Sequence, residues 1–225
     1  MIQLNDVSRT YAMEQPLTVL RDVNLRIGAG DFVAILGPSG SGKSTLLHIM
    51  GLLDRPTTGT VRVNGVDTST LSDDARSELR GRSIGFVFQS FQLISHLSVA
   101  ENVELPLFYQ RVPAAERRAR SLECLCRVQL DHRADHLPSE LSGGECQRTA
   151  VARALVADAP LIFADEPTGN LDTRTGDEVF GVFKSLHEQG RAVVVITHDV
   201  TLADRIPRTV RLSDGEIVED SRDSS

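Results

Sequence analysis

The sequence predicts an α/β fold: a parallel-sheet core that starts with an antiparallel β subdomain and is interrupted by an α-helical insertion. Three observations predict it. Phe32–Leu36 is a continuous apolar run, the mark of a strand covered on both faces. It leads directly into Gly37-Pro38-Ser39-Gly40-Ser41-Gly42-Lys43-Ser44-Thr45, which fits the phosphate-loop pattern G-x-x-x-x-G-K-[ST], and helical spacing follows over Ser44–Leu53. Two later apolar runs, Leu161–Ala164 and Ala192–Thr197, have the length of buried strands and are separated by a helical stretch, Thr175–Glu188.

The other elements follow in chain order. Gln3–Val7 and Leu20–Ile27 alternate apolar and polar residues, as antiparallel strands with one wet face do. Gly28-Ala29-Gly30-Asp31 is a turn, and Gly59–Val63 and Ser83–Phe88 read as further strands. Phe91–Ser139 carries few strand signals and charged helical stretches around Ala114–Cys126, after Pro106 and Pro113, and is expected to be the insertion. Glu145–Val156 reads as a helix. Thr209–Leu212 and Glu216–Glu219 are expected to pair across Ser213-Asp214-Gly215. The expected division is a core of residues 1–90 and 141–219, a helical subdomain of residues 91–140, and a disordered tail of residues 220–225, all within one domain.

Composition narrows the function classes. A chain of 225 residues with 40% hydrophobic and 24% charged content buries one sizeable core. A net charge of −7 argues against a non-specific nucleic-acid surface. No apolar run approaches the roughly 20 residues of a membrane span, and the start lacks the basic and apolar regions of a signal peptide. Any membrane role is therefore expected through a partner, with the chain in the cytoplasm. Cys124, Cys126 and Cys146 form no two-pair pattern, so free thiols are expected, and His132 and His136 add too little for a metal site.

The chemistry centres on the glycine loop. Gly37, Gly40 and Gly42 let backbone N–H groups approach phosphate oxygens, and the following helix adds its positive end. Lys43 supplies charge to the β- and γ-phosphates and Ser44 a hydroxyl for Mg²⁺, with Pro38, Ser39, Ser41 and Thr45 completing the loop. Asp165 and Glu166 end an apolar strand, where an acidic pair is costly to place without a use. Asp165 is the candidate metal ligand and Glu166 the candidate general base for an attacking water.

Leu141-Ser142-Gly143-Gly144-Glu145 resembles the LSGGE/Q signature of ATP-binding cassette (ABC) ATPases, and together with the loop it extends a resemblance over nearly the whole chain. The resemblance implies a P-loop NTPase core of ABC type that binds ATP and Mg²⁺. It implies that Gln89 reaches the metal and water, that His198 is the switch histidine, and that Asp172 lies in a D-loop at a subunit boundary. It implies that Ser142, Gly143, Gly144 and Glu145 contact ATP held by a second subunit, so that a dimer, most simply a homodimer, completes each site. Tyr11 is where such proteins place an adenine-stacking aromatic, the alternative being simple packing on the neighbouring strand.

Gly85–Ile94, Glu101–Leu107 and Ala164–Asp172 are similar to bacterial lipoprotein-release and macrolide-export ATPases. This implies an integral membrane permease as partner. Cell-division and importer ATPases of related sequence remain alternatives, and a non-transport ABC ATPase is a more distant one. Cys146 departs from the Gln that such relatives commonly carry. It reads either as a small side chain tolerated at a helix start or as a modifiable thiol beside the dimer boundary.

Overall fold

The computed structural model describes residues 1–222. β1 (Ile2–Tyr11) and β2 (Leu17–Ile27) open the chain as an antiparallel pair. β3 (Phe32–Leu36) runs through the glycine loop into α1 (Lys43–Met50). β4 (Thr58–Val63) and the short β5 (Val66–Asp67) complete a four-stranded sheet in the order β2-β1-β4-β5. α2 (Asp73–Ser83) leads to β6 (Ile84–Phe88). Three helices follow, α3 (Val99–Tyr109), α4 (Ala114–Arg127) and α5 (Gly143–Val156). β7 (Leu161–Asp165), α6 (Thr173–Glu188), β8 (Ala192–Thr197), the one-turn α7 (Val200–Ala203), β9 (Arg208–Ser213) and β10 (Glu216–Asp220) end the described chain.

The second sheet has the order β10-β9-β3-β8-β7-β6 and is parallel except for the β9–β10 hairpin. Its central strands are buried on both faces. Phe32, Ala34, Leu36, Ile162, Ala164, Val193 and Val195 face a core shared with α3, α4, α5 and α6. Val33, Ile35, Leu161, Phe163, Val194 and Ile196 face a core shared with α1 and the antiparallel sheet. The alternation of period two therefore feeds two hydrophobic layers, which is why these strands read as unbroken apolar runs. The register sets the site. Leu36 pairs with Thr197, Ile196 with Asp165, and Asp165 with Phe88, so the C-terminal ends of β3, β8, β7 and β6 lie level. Ligands bind at that edge of open parallel sheets.

Two expectations need correction. The sequence reading places no helix between β5 and β6, yet α2 is there. It buries only Arg76 and Ser83, so it has no apolar stripe to read. Its signals are the Ser72 cap, which accepts from Ala75 N–H at 3.2 Å, and Asp73 and Asp74 in the first turn. α3 falls within the expected helical insertion and runs through Pro106. Packing outweighs the lost backbone bond. A Ser98–Glu101 capping box starts α3, and the fully buried Asn102 amide donates to Ile94, Leu97 and Ser98 carbonyls at 3.0–3.1 Å.

The second correction concerns the tail. Asp220 ends β10 and is not disordered, while residues 223–225 lie outside the described residues. Arg208, 8% exposed, donates from Nε to Asp220 at 2.9 Å and from Nη1 to Asp31 at 3.1 Å. Arg222 also reaches Asp31, at 2.9 Å. The Arg208 hydrogen bond holds the Asp220 carboxyl below its ordinary range. A carboxylate whose folded pKa is depressed stabilises above its unfolded pKa, and the gain is lost as pH falls through the folded value. Asp220→Asn is therefore expected to cost about 1–3 kcal/mol at neutral pH, since Arg208 keeps Asp31. The gap between thermal melts of the two proteins should begin to close as pH falls below about 4 and vanish only below the depressed folded value. A gap that persisted undiminished in acid would show that the charge is not its source.

Candidate nucleotide site

A cleft of about 530 Å³ opens at the level strand ends, lined by the glycine loop, Val19 of β2, Gln89, Asp165, Glu166 and His198. Gly42 caps α1 with φ 103°, and a Cβ there would lie 2.9 Å from the Val19 carbonyl oxygen, so both torsion and space require glycine. The loop curls around Lys43, whose Nζ donates to the Gly37 and Pro38 carbonyls at 2.7 and 2.9 Å. Ser41 is buried behind it, its N–H donating to the Pro38 carbonyl at 3.2 Å. Ser39, Gly40, Ser44 and Thr45 line the cleft. Backbone N–H groups, a helix start and one ammonium converge here, a cradle for a phosphate chain.

Across the cleft, burial and the neighbouring Glu166 hold the Asp165 carboxyl above its ordinary range, with His48 and Lys43 opposing. A cation bound beside it would favour the ionised form. The Ser44 hydroxyl, Asp165 carboxylate and Gln89 amide oxygen are hard donors, a set that suits a small divalent cation partly coordinated by phosphates.

Glu166 is held more firmly than its sequence position suggests. Its backbone sits at φ 45°, in the left-handed region, fixed by its N–H donating to the Ile196 carbonyl at 2.9 Å. Its carboxylate accepts from the Thr197 hydroxyl at 3.1 Å and the His198 backbone N–H at 3.0 Å. It also meets His198 Nδ1 at 2.7 Å. The geometry aims one carboxylate into the cleft and joins it to the histidine at the end of β8.

Gln89 is tied to the loop after β7. The Asn170 amide donates to the Gln89 carbonyl at 3.1 Å, and a Cβ on Gly169 would lie 2.9 Å from Gln89 Nε2. Beyond Gln89, Phe91 and Gln92 both take positive φ, and Arg153 of α5 grips both carbonyls, that of Phe91 at 2.7 Å. Thr197, Asn170 and Arg153 escaped the sequence reading. Thr197 stood inside the quoted His198 motif and Asn170 inside the Asp172 motif, whereas nothing in the sequence marks Arg153.

The remaining candidates lie apart from this cleft. Ser142 is exposed and caps α5, with Gly143 exposed after it. Asp172 caps α6, accepting from Thr175 N–H at 3.1 Å and from the Thr175 hydroxyl at 2.6 Å. Tyr11 lies on β1 opposite Leu17. Its hydroxyl donates to Asp54 at 3.1 Å, and the Arg9 guanidinium lies 4.4 Å from the ring centre. Cys146 is buried, its Sγ 3.7 Å from the Pro138 carbonyl, and burial raises its thiol above the ordinary range. A buried, protonated thiol fits the packing role and not the reactive one.

The ABC transporter family model matches residues 20–169. The chain belongs to the ABC transporter family. This cassette is 47% identical over 223 residues to YvrO of Bacillus subtilis, described as an uncharacterized ABC transporter ATP-binding protein, covering 99% of this chain and 97% of that one. It is also 47% identical to the macrolide export ATP-binding/permease protein MacB of Salmonella typhimurium, covering 97% of this chain but only 34% of MacB. The cassette thus spans about a third of that relative. Among solved structures it superposes with TM-score 0.91 on the dimeric, post-hydrolysis cassette MJ0796 of Methanocaldococcus jannaschii bound to ADP and Pi. Identity is 46%, with 98% and 97% of the two chains covered. The cassette is an ATP-binding, ATP-hydrolysing domain with the expected α/β architecture. Among the described residues no helix is long and apolar enough to cross a membrane.

Proposed function

We propose that this cassette is the ATPase subunit of a bacterial transporter of the export or lipoprotein-release type, acting as a dimer on a membrane permease at the cytoplasmic face. The observation that carries the reading is the division of the site. Lys43, Asp165 and Glu166 share one cleft, while the Ser142 turn is presented outward and away from it. Two copies placed head to tail bring each Ser142 turn to the other's cleft. The dimeric state in the description of MJ0796 supports this arrangement.

In this reading Lys43 and the loop amides bind the phosphates, and Ser44, Asp165 and Gln89 hold Mg²⁺, which neutralises phosphate charge when bound. Glu166 takes a proton from water, Thr197 and His198 keep its carboxylate oriented, and the adenine lies on Tyr11. Closure on ATP and opening after hydrolysis are the mechanical output.

A second surface supports permease docking. A groove of about 360 Å³ runs between β6, α3 and α5, lined by Leu53, Phe86, Phe88 and Pro106 among others. Phe108 and Tyr109, also on α3, are 58% and 79% exposed. Phe88 immediately precedes Gln89, so a segment seated there would sense the metal ligand through one peptide bond. The relation to MacB, whose name joins ATP-binding and permease functions, supports the export assignment.

The test is recovery of tagged Glu166→Gln protein from detergent-solubilised membranes with ATP and Mg²⁺, followed by mass spectrometry. A few-helix membrane protein with a large periplasmic domain is the expected partner. A many-helix permease would move the cassette to an importer branch, and soluble partners alone would overturn the transport assignment.

A further inference from the structure

We infer that Glu145 is a latch on the Ser142 hydroxyl and that Arg133 is the positioning residue that tempers it, so that the pair sets how much ATP is needed to close the dimer. This rests on the two-subunit reading above, in which Ser142 meets the γ-phosphate of ATP bound by the other copy.

A serine hydroxyl has one proton to donate. Here it goes to Glu145 Oε2 at 2.8 Å, and the same oxygen accepts the Ser142 backbone N–H, also at 2.8 Å. Glu145 N–H returns a bond to the Ser142 hydroxyl at 3.3 Å. Both donors that the signature serine has to offer a phosphate are therefore held inside the cassette. To donate elsewhere, the hydroxyl must leave the carboxylate.

Charge adds to the competition. The hydrogen bonds from Ser142, with that from Arg133, hold the Glu145 carboxyl below its ordinary range, so it is ionised at neutral pH. Its side chain is 16% exposed, and it occupies the first turn of α5, where a helix favours an anion. An arriving triphosphate brings a second anion to that same helix end. Arg133 is the cation that lets both share it. Its Nε donates to Glu145 Oε1 at 3.0 Å, and its Nη1 lies 3.1 Å from His136 Nε2. The backbone fixes Arg133 at the end of the 3-10 turn Asp131–Arg133 that follows α4, with its N–H on the Leu130 carbonyl at 3.0 Å and its carbonyl accepting from His136 N–H at 2.9 Å.

The two residues should therefore act in opposite directions. Glu145→Gln keeps a capping box, because glutamine closes one as well as glutamate does, but it removes the charge and weakens the hold on Ser142. Arg133→Gln leaves the carboxylate unmatched. A purely structural role for this ion pair would make both changes harmful, since each breaks the same bridge.

The experiment titrates ATP, with Mg²⁺, against dimer formation by light scattering, all in the Glu166→Gln background. Glu145→Gln is expected to lower the half-maximal ATP concentration by about three- to tenfold, and Arg133→Gln to raise it by a similar factor. In the double variant with Glu145→Gln, the effect of Arg133→Gln should disappear. If the Glu166→Gln parent dimerises but neither variant shifts the midpoint, or both shift it upward, the latch is wrong and the dimer reading stands. A parent that stays monomeric overturns the dimer reading and the latch with it.

Discussion

Glu166→Gln is expected to lower steady-state ATP turnover by about 10²–10⁴-fold, the usual contribution of a positioned general base, while ATP binding persists. The substitution is nearly isosteric. A glutamine carbonyl oxygen in the place of Oε1 can still accept from the His198 N–H, 3.0 Å away, and the amide NH2 in the place of Oε2 can donate to the Thr197 hydroxyl, 3.1 Å away, which turns to accept. The left-handed backbone at φ 45° is no harder for glutamine than for glutamate. What goes is the proton acceptor, and with it the pairing of a carboxylate to the His198 ring. Because closure needs ATP and opening needs hydrolysis, the variant should accumulate as an ATP-bound dimer. Phosphate release and size-exclusion chromatography check the two halves independently. Turnover within tenfold of the parent would remove Glu166 from the role of base. A monomer that binds ATP but never pairs would instead remove the dimer.

How much of this was legible in the sequence depended on where each residue's partners lie. β3, β7 and β8 were readable because burial on both faces leaves Phe32–Leu36, Leu161–Ala164 and residues 192–196 without a polar side chain. β1 was read only to Val7 because register shifts after Leu4 and Val7, with Asp6 at φ 49°, break the alternation that defines a half-buried strand. α2 was invisible because an almost wholly polar helix carries caps but no stripe. Within the site, the residues proposed for phosphate, metal and water sit in short motifs and were legible as candidates. The residues that hold them were not. Thr197 meets Glu166 across 31 positions, Asn170 meets Gln89 across 81, and Arg153 meets Phe91 across 62. Their use exists only once β6, β7, β8 and α5 are side by side. Asp172 shows the converse. Its motif was read for a boundary role, and its carboxylate also carries out the local task of capping α6.

Lys43→Ala should fail at the step before Glu166→Gln does. The Lys43 ammonium is held across the loop by the Gly37 and Pro38 carbonyls, so its charge is placed before any phosphate arrives and little side-chain entropy remains to be lost. Charge-assisted hydrogen bonds to phosphate oxygens are worth roughly 1.5–3 kcal/mol each. Losing two weakens ATP binding by about 10²–10⁴-fold, at 1.4 kcal/mol per tenfold. A second effect points the same way. Burial and Glu166 push the Asp165 carboxyl up, and Lys43 is one of the two groups that oppose them. Without Lys43 that carboxyl moves further up and holds a divalent cation less readily. Lys43→Arg should not rescue. A planar guanidinium cannot occupy the point at which the loop carbonyls meet a single ammonium, and it is bulkier in a loop whose Gly42 already touches β2. Half-buried Lys43 has no part in either hydrophobic layer, so melting should change little while calorimetric titration with ATP loses its signal. The two variants then separate cleanly: one binds ATP without turning it over, and the other never binds it. A Lys43→Ala protein with undiminished ATP affinity would mean that the loop amides and the start of α1 carry the phosphates alone.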